Sequence, residues 1–500
     1  MTFEISEWLQ NSTPIITIFN IMFFTFTLLF SIFSFLIFIS RLKPWCNCNI
    51  CSSYLTMNWT NEFINLSDWY THLLKKSPTG TIHIHVLNNT ITCNQQNIEH
   101  ILKTRFENYP KGKPFSAILG DLLGNGIFNV DGVSWNFQRK MASLELKSVT
   151  VRSYALEIII EEIRTRLVPF MNSFAHAEKV FDLQDIMRRF SFDNICKFSF
   201  GWDPRCLQVS LPVSDLANAF DVASKISARR ALSTSPVIWK IKRLFNIGSE
   251  KNLKEAINVV NKFTDEIINK RKEIGFSARN DLLSRFMCSV NDEKYIRDIV
   301  ISFLLAGRDT VAAGLTCLFW LLSKNQEVEK KIQEEATRVI KNPDQEYPSF
   351  EEIREMHYLN AVVYETMRLY PPVQFDSKFA KKDDVLPDGS YVRKGSRVTY
   401  HPYAMGRMER VWGSDCGEFK PERWMKDGVF VSESVFKYPV FQGGFRVCLG
   451  KELALMEIKC VVVALVRKFE IRVDGNQELR FSPGLTASLK DGLPVRVFEK

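Results

Sequence analysis

Glycine-rich phosphate cradles are missing from this chain. Neither GxGxxG nor GxxxxGK[ST] follows a strand-like run, and "GDLLGNG" at 120–126 has neither spacing, so the chain has no Rossmann or P-loop nucleotide site of its own. HExxH and GxSxG are absent too, which removes support for metalloprotease and serine-hydrolase chemistry. Beyond residue 50 there is no internal repeat, no low-complexity tract and no Gly/Ser linker, so the remainder of the chain reads as one large domain. Basic residues form no tail or stripe. The net charge of +9 is spread along the chain, which suits an anionic membrane or an acidic partner and argues against nucleic acid. Eleven cysteines, odd in number and irregular in spacing, make no disulfide framework, and the fold is expected in a reducing compartment.

What is present starts with a membrane signal. Residues 15 to 40, "IITIFNIMFFTFTLLFSIFSFLIFIS", carry no charge and exceed the roughly 20 residues needed to cross a bilayer. A cleaved signal peptide is the alternative, but its apolar core is shorter and follows basic residues. Here Glu4 and Glu7 precede the run, whereas Arg41 and Lys43 follow it. The positive-inside rule then makes 1–14 a lumenal tail, 15–40 a single transmembrane anchor, 41–55 a linker and 56–500 a cytosolic domain. The sequons at Asn58, Asn65 and Asn88 would accordingly escape glycosylation. In the linker, Cys46, Cys48 and Cys51 are candidates for a metal or a lipid, or are incidental thiols.

Within the domain, "TIHIHVLNNTITC" at 81–93 alternates as a small sheet does. From about residue 150, segments such as "SYALEIIIEEIRTRLVPFM" and "AINVVNKFTDEIINKRKEI" carry helical apolar spacing. The expected architecture is mainly α with minor β.

One stretch, "FQGGFRVCLG" at 441–450, sets Cys448 among glycines and beside Arg446. A lone cysteine is most often a small buried hydrophobe. However, "CLGKELALMEIKCVVVALV" reads as a helix opening just after Cys448, and backbone N–H groups with nearby positive charge keep a thiolate ionised. Gly444 and Gly450 leave room for a flat ligand, and Arg446 offers it a partner for an acidic group. Those properties describe haem.

Residues 441–450 resemble the FxxGxRxCxG haem loop of the cytochromes P-450, with Phe441, Gly444, Arg446, Cys448 and Gly450 at its fixed positions. Three further motifs come in the family's order. "LLAGRDTVAAG" at 304–314 resembles the oxygen-activating helix, in which Gly307 would make room for dioxygen, Asp309 would help deliver protons and Thr310 would donate a hydrogen bond; an N-cap at Asp309 or Thr310 is the alternative. "ETMR" at 365–368 resembles ExxR, with Glu365, Arg368 and the Arg423 of "PERW" in a structural triad, where an ordinary surface pair is the alternative. "WNFQR" resembles WxxxR, placing Trp135 and Arg139 one turn apart toward a haem propionate, where a packing pair is the alternative.

The resemblance covers everything after the anchor and implies the family's fold, haem b ligated by Cys448, and a monooxygenase taking NADPH electrons from a separate membrane reductase. It also implies a monomeric catalytic unit on the endoplasmic reticulum. Lys437, Lys451 and Lys459 are candidates for the docking charge, or belong to a solvated basic face. Segments such as "PPVQFDSKFA" and "YAMGRMERVWGSDCGEFKPERW" are similar to the plant branch that oxidises chain ends of fatty acids and of jasmonoyl-isoleucine, in particular 12-hydroxy-jasmonoyl-isoleucine to the 12-carboxy form. A hydroperoxide-rearranging enzyme of the same fold and a non-catalytic haem carrier or sensor are the other readings. Where relatives have proline before the loop arginine, this chain has Phe445, which predicts a less rigid loop. Finally, 237–245 alternates apolar and basic residues as a membrane-surface segment does.

Overall fold

The computed structural model describes residues 21–35, 46, 48–146, 149–208, 215–275, 281–342, 345–475 and 478–500. Of the expected anchor, 21–35 is described; the lumenal tail, the ends of the anchor, Arg41 and Lys43 lie outside the described residues. The contacts define two units. One comprises the described part of 1–58 with 84–88, and the other 59–83 with 89–500.

In the first unit, α1 (Ile21–Phe35) is apolar and exposed along its length. At 1.5 Å per residue it spans about 22 Å. The linker is not wholly irregular, because α2 (Asn49–Thr56) forms within it, with the Cys48 side chain accepting from the Cys51 N–H at its N-cap.

Helices dominate the second unit, as the apolar spacing predicts. In chain order, those that build the site are α3 (Gly112–Leu123), α4 (Gly132–Leu146), α5 (Leu183–Phe200), α6 (Asp215–Leu232), α7 (Pro236–Leu244), α8 (Ser249–Ile274), α9 (Glu293–Lys324), α10 (His357–Leu369) and α11 (Lys451–Lys468). Their ends reflect local chemistry. Asp182 and Asp292 cap α5 and α9 by accepting from Gln184 N–H and from Lys294 and Tyr295 N–H, and Pro371 with Pro372 stops α10 just past its last turn. The 81–93 segment gives β1 (Thr81–Ile84) and β2 (Asn89–Thr92). These extend a sheet through β5 (Arg397–Tyr400) to β4 (Asp376–Phe379), while β3 (Phe181–Asp182) joins a second sheet with β6 (Phe469–Val473) and β7 (Pro494–Glu499).

Helix α9 is the centre of the core. Among the described residues it alone is both long and apolar enough to cross a membrane, yet it is mostly buried, because it is apolar on nearly all faces and packs against α5, α10 and α11. Glu457 of α11 accepts from Asn194 of α5 at 3.1 Å, and burial pushes its carboxyl up to about 8 from a usual 4.5. The folded chain therefore holds this proton more tightly than the unfolded chain. The group's contribution is complete below about pH 4.5 and is lost as pH rises through about 8. Glu457→Gln should flatten the decline of melting temperature over that interval, measured by thermal unfolding across a pH series.

Candidate haem-thiolate site

The cysteine loop is a chain of tight turns. Short 3₁₀ turns cover Pro439–Phe441 and Gly444–Arg446, and the Cys448 N–H donates to the Phe441 carbonyl at 2.8 Å. Gly444 has φ +57°, and a Cβ there would sit 2.0 Å from the Leu102 carbonyl oxygen, so the fold itself demands this glycine. A Cβ on Gly450 meets nothing within 4 Å, which leaves open space beside the loop. Phe445 packs on Phe106 with ring centroids 5.1 Å apart. Gln442, at φ +63°, lies with its side-chain amide against Tyr400 Oη.

The Cys448 side chain is exposed and accessible beside the loop. Desolvation by the protein around it raises its thiol, opposed by the Gly450 N–H at the start of α11 and by Arg139 and Lys451. One soft donor on a helix N-terminus, with open space beside it, fits a thiolate that would hold haem iron.

Cationic side chains collect nearby. Arg139 lies 5.9 Å from the Trp135 ring on α4, as one helical turn allows, and Arg446 lies 4.6 Å from the same ring. The sequence assigns Arg446 to a ligand's acid, but here it binds Asp131 at 2.7 Å and the Val130 carbonyl at 2.8 Å, so its guanidinium also pins the start of α4. The sequence reading missed Lys111 and Lys378. Both are buried and share Asp376, at 2.6 and 3.2 Å, with Tyr400 Oη donating to the same carboxylate at 2.8 Å. Burial works against the charge on Asp376, but the two ammonium groups hold its carboxyl well below the usual range. Lys111, Lys378 and Arg446 gather about Asp376 and Asp131, and burial lowers all three from their ordinary ranges, Lys378 well below. With Arg139 beside the Cys448 thiol, these residues fit a ligand with an acidic edge, as haem has. No spacing in the sequence pointed to Lys111 and Lys378, because a long-range backbone contact, Phe379 N–H to the Pro110 carbonyl at 3.0 Å, brings them together.

The structural triad is closed. Arg368 donates from Nε and Nη2 to the two Glu365 oxygens at 2.7 and 2.9 Å, and Arg423 Nε reaches Glu365 at 2.9 Å. Trp424 Nε1, missed from sequence, donates to Glu365 at 2.9 Å. Arg368 also binds the carbonyls of Gly406, Cys416 and Glu418, and Arg423 those of Trp412 and Asp415. This is no surface pair: Glu365 and Arg368 are 0 % exposed.

On α9 the acid–alcohol pair lies mid-helix, not at an N-cap. Thr310 Oγ1 donates to the Ala306 carbonyl at 2.7 Å. Asp309 is buried and paired with Arg308 at 2.9 Å; Arg308 reaches Asp221 of α6 at 2.7 Å, and Asp221 in turn holds Arg188 at 3.0 Å. Burial raises the Asp309 carboxyl against the pull of Arg308 and Arg188. The missing side chain of Gly307 points toward α5, where a Cβ would meet Ile195 at 2.5 Å, so this glycine lets two helices approach closely. The basic trio is dispersed: Lys459 is buried and donates to the Ile353 carbonyl at 2.7 Å, Lys437 pairs with Glu433 at 2.6 Å, and Lys451 sits 5.5 Å from the Phe441 and Tyr364 rings.

A family model described as cytochrome P-450 matches residues 55–493. The chain belongs to the cytochrome P-450 family. It is 58% identical over 490 residues to cytochrome P-450 94C1 of Arabidopsis thaliana, covering 96% of this chain and 99% of that protein. Cytochrome P-450 94B1 of the same plant is 49% identical over 447 residues, covering 86% and 87%, and 94A1 of Vicia sativa is 44% identical over 445 residues, covering 86% of each. The chain is thus a haem-thiolate monooxygenase with the family's fold, and it binds haem b. Cys448→Ser should abolish the thiolate-type carbon monoxide spectrum of the ferrous protein while the chain still folds. Glu365→Gln, which leaves buried guanidinium groups short of charge, should destabilise by about 3–5 kcal/mol and lower haem content in the purified protein.

Proposed function

We propose that this enzyme oxidises the terminal carbon of a fatty-acyl-like substrate, and that its substrate is 12-hydroxy-jasmonoyl-isoleucine, taken to the 12-carboxy form in jasmonate catabolism. The observation that carries this reading is the gradient of identity: 58% to cytochrome P-450 94C1 along nearly its whole length, against 44% to 94A1. Chain-end attack needs the terminal carbon held over the reacting centre with the inner carbons kept away, and a conjugate with a fixed carboxylate supplies that positioning. A terminus already hydroxylated can be oxidised again, through aldehyde to acid, in one pose.

Haem b, when bound, supplies the one-electron steps that place one atom of dioxygen into a C–H bond. The chain's residues do the rest. Cys448 holds the iron, with Gly450 N–H and Arg139 favouring its thiolate. Trp135, Arg139 and Arg446, with Lys111 and Lys378, face the acidic edge, and Phe441, Gly444 and Gly450 shape the loop. Glu365, Arg368 and Arg423 keep that loop in register. Asp309 helps to deliver protons beside Thr310, and Arg308, itself held by the partly exposed Asp221, fixes the Asp309 carboxylate in place. Gly307 sets the spacing of α9 from α5.

Electrons come from NADPH through a separate reductase docking on the cysteine side. The protein sits on the endoplasmic reticulum as a single-pass, monomeric unit with 56–500 in the cytosol; the charge-free run at 15–40 supports the anchor. A second lipid contact is supported by α7, where Val237, Ile238, Ile241, Leu244 and Phe245 are exposed beside Lys240, Lys242 and Arg243. Trp239 is not part of that face: it is buried, with Arg230 4.6 Å from its ring.

With purified enzyme and reductase, 12-hydroxy-jasmonoyl-isoleucine should be converted to its 12-carboxy form faster than lauric acid is hydroxylated; brisk lauric acid turnover with the conjugate untouched would assign a general fatty-acid ω-hydroxylase instead. Thr310→Ala should keep haem but uncouple, releasing hydrogen peroxide in place of product, read as the ratio of product to NADPH consumed. Deleting residues 1–40 should leave membrane affinity that salt weakens, measured by flotation with anionic vesicles.

A further inference from the structure

Three sulfur atoms in the first unit belong to no part of the haem site. Cys46, Cys48 and Cys51 bring their Sγ atoms within 4.8 Å of one another, and among the described residues the group has these three members. A CxCxxC spacing alone does not require this. The backbone does it: Cys48 is the N-cap of α2, its Sγ 3.5 Å from the Cys51 N–H, which sets Cys51 one turn on and on the same side. Cys51 is fully buried and held against the Val86 backbone of the hairpin tip, whereas Cys48 is exposed and Cys46 half-exposed. The trio is therefore fixed on its inner side and open on its outer side.

The chemistry of the donors is narrow. Three thiols with no oxygen or imidazole among them select a thiophilic d¹⁰ cation. Around zinc, with Zn–S near 2.3 Å, tetrahedral sulfurs stand about 3.8 Å apart, so the observed separations close onto one ion with shifts of about 1 Å or less.

We propose that Cys46, Cys48 and Cys51 form a zinc site with three protein ligands and a fourth position open to solvent, next to the N-terminal apolar segment. Binding converts Zn²⁺ and three thiols to a zinc tris-thiolate and releases three protons to buffer; no electrons move. The site would tie Cys46 to the start of α2.

The test uses the full-length, haem-loaded protein in detergent, kept reduced and dialysed against zinc, with cadmium as a spectroscopic probe. One zinc per chain is expected, together with the ultraviolet sulfur-to-cadmium charge-transfer band, and both should vanish in the Cys46→Ser, Cys48→Ser, Cys51→Ser triple variant at unchanged haem content. Because Cys51 is buried, Cys46→Ser alone is the second variant, and it should weaken zinc binding about tenfold or more. Equal zinc in wild type and both variants overturns the proposal. So does a disulfide or a thioester-linked acyl chain on these cysteines in protein isolated without added reductant.

Discussion

The carboxylate of Glu365 is the point on which the proximal half of the domain depends. It accepts from Arg368 Nε and Nη2, Arg423 Nε, Trp424 Nε1 and the Lys420 N–H, all within 2.9 Å. A charge so deep is costly unless every lone pair is used, and here each oxygen is committed. The two guanidinium groups then spend their remaining donors on backbone carbonyls from Gly406 to Glu418, in a segment that has little regular structure of its own. One anion thereby replaces secondary structure as the organiser of a long connection. The stack of Tyr364 on Tyr438, with Tyr438 Oη donating to the Tyr364 carbonyl at 3.0 Å, carries the order onward to the cysteine loop.

That order matters because the loop must present one thiol at a fixed place. Cys448 is held by a backbone hydrogen bond to Phe441 on one side and by the first turn of α11 on the other. The loop arginine is tied to Asp131 and so to α4, which connects the thiol's surroundings to the helix carrying Trp135 and Arg139. Phe445 adds a contact between that loop and Phe106. On α9 a buried acid persists in an apolar helix because Arg308 of the same helix pairs with it, while α6 and α5 extend the chain of alternating charges through Asp221 and Arg188.

The sequence by itself determined the class of the molecule and its helical character, and it singled out Cys448, the ExxR pair and the apolar run at its start. These are local properties: hydrophobic period, turn residues and fixed spacings are written along the chain. It also marked Asp309 and Thr310, since an acid and an alcohol inside an apolar helix stand out without any fold. What only the tertiary structure decided are the partners. Lys111 meets Asp376, Trp424 meets Glu365 and Arg308 meets Asp221 across tens to hundreds of residues, and no periodicity encodes such pairings. For the same reason Lys459 and Trp239, which the sequence places on exposed faces, are buried, and Gly307 serves helix packing: whether a side chain faces solvent, a ligand or another helix depends on which elements pack against it, and that is settled only when the chain closes its core.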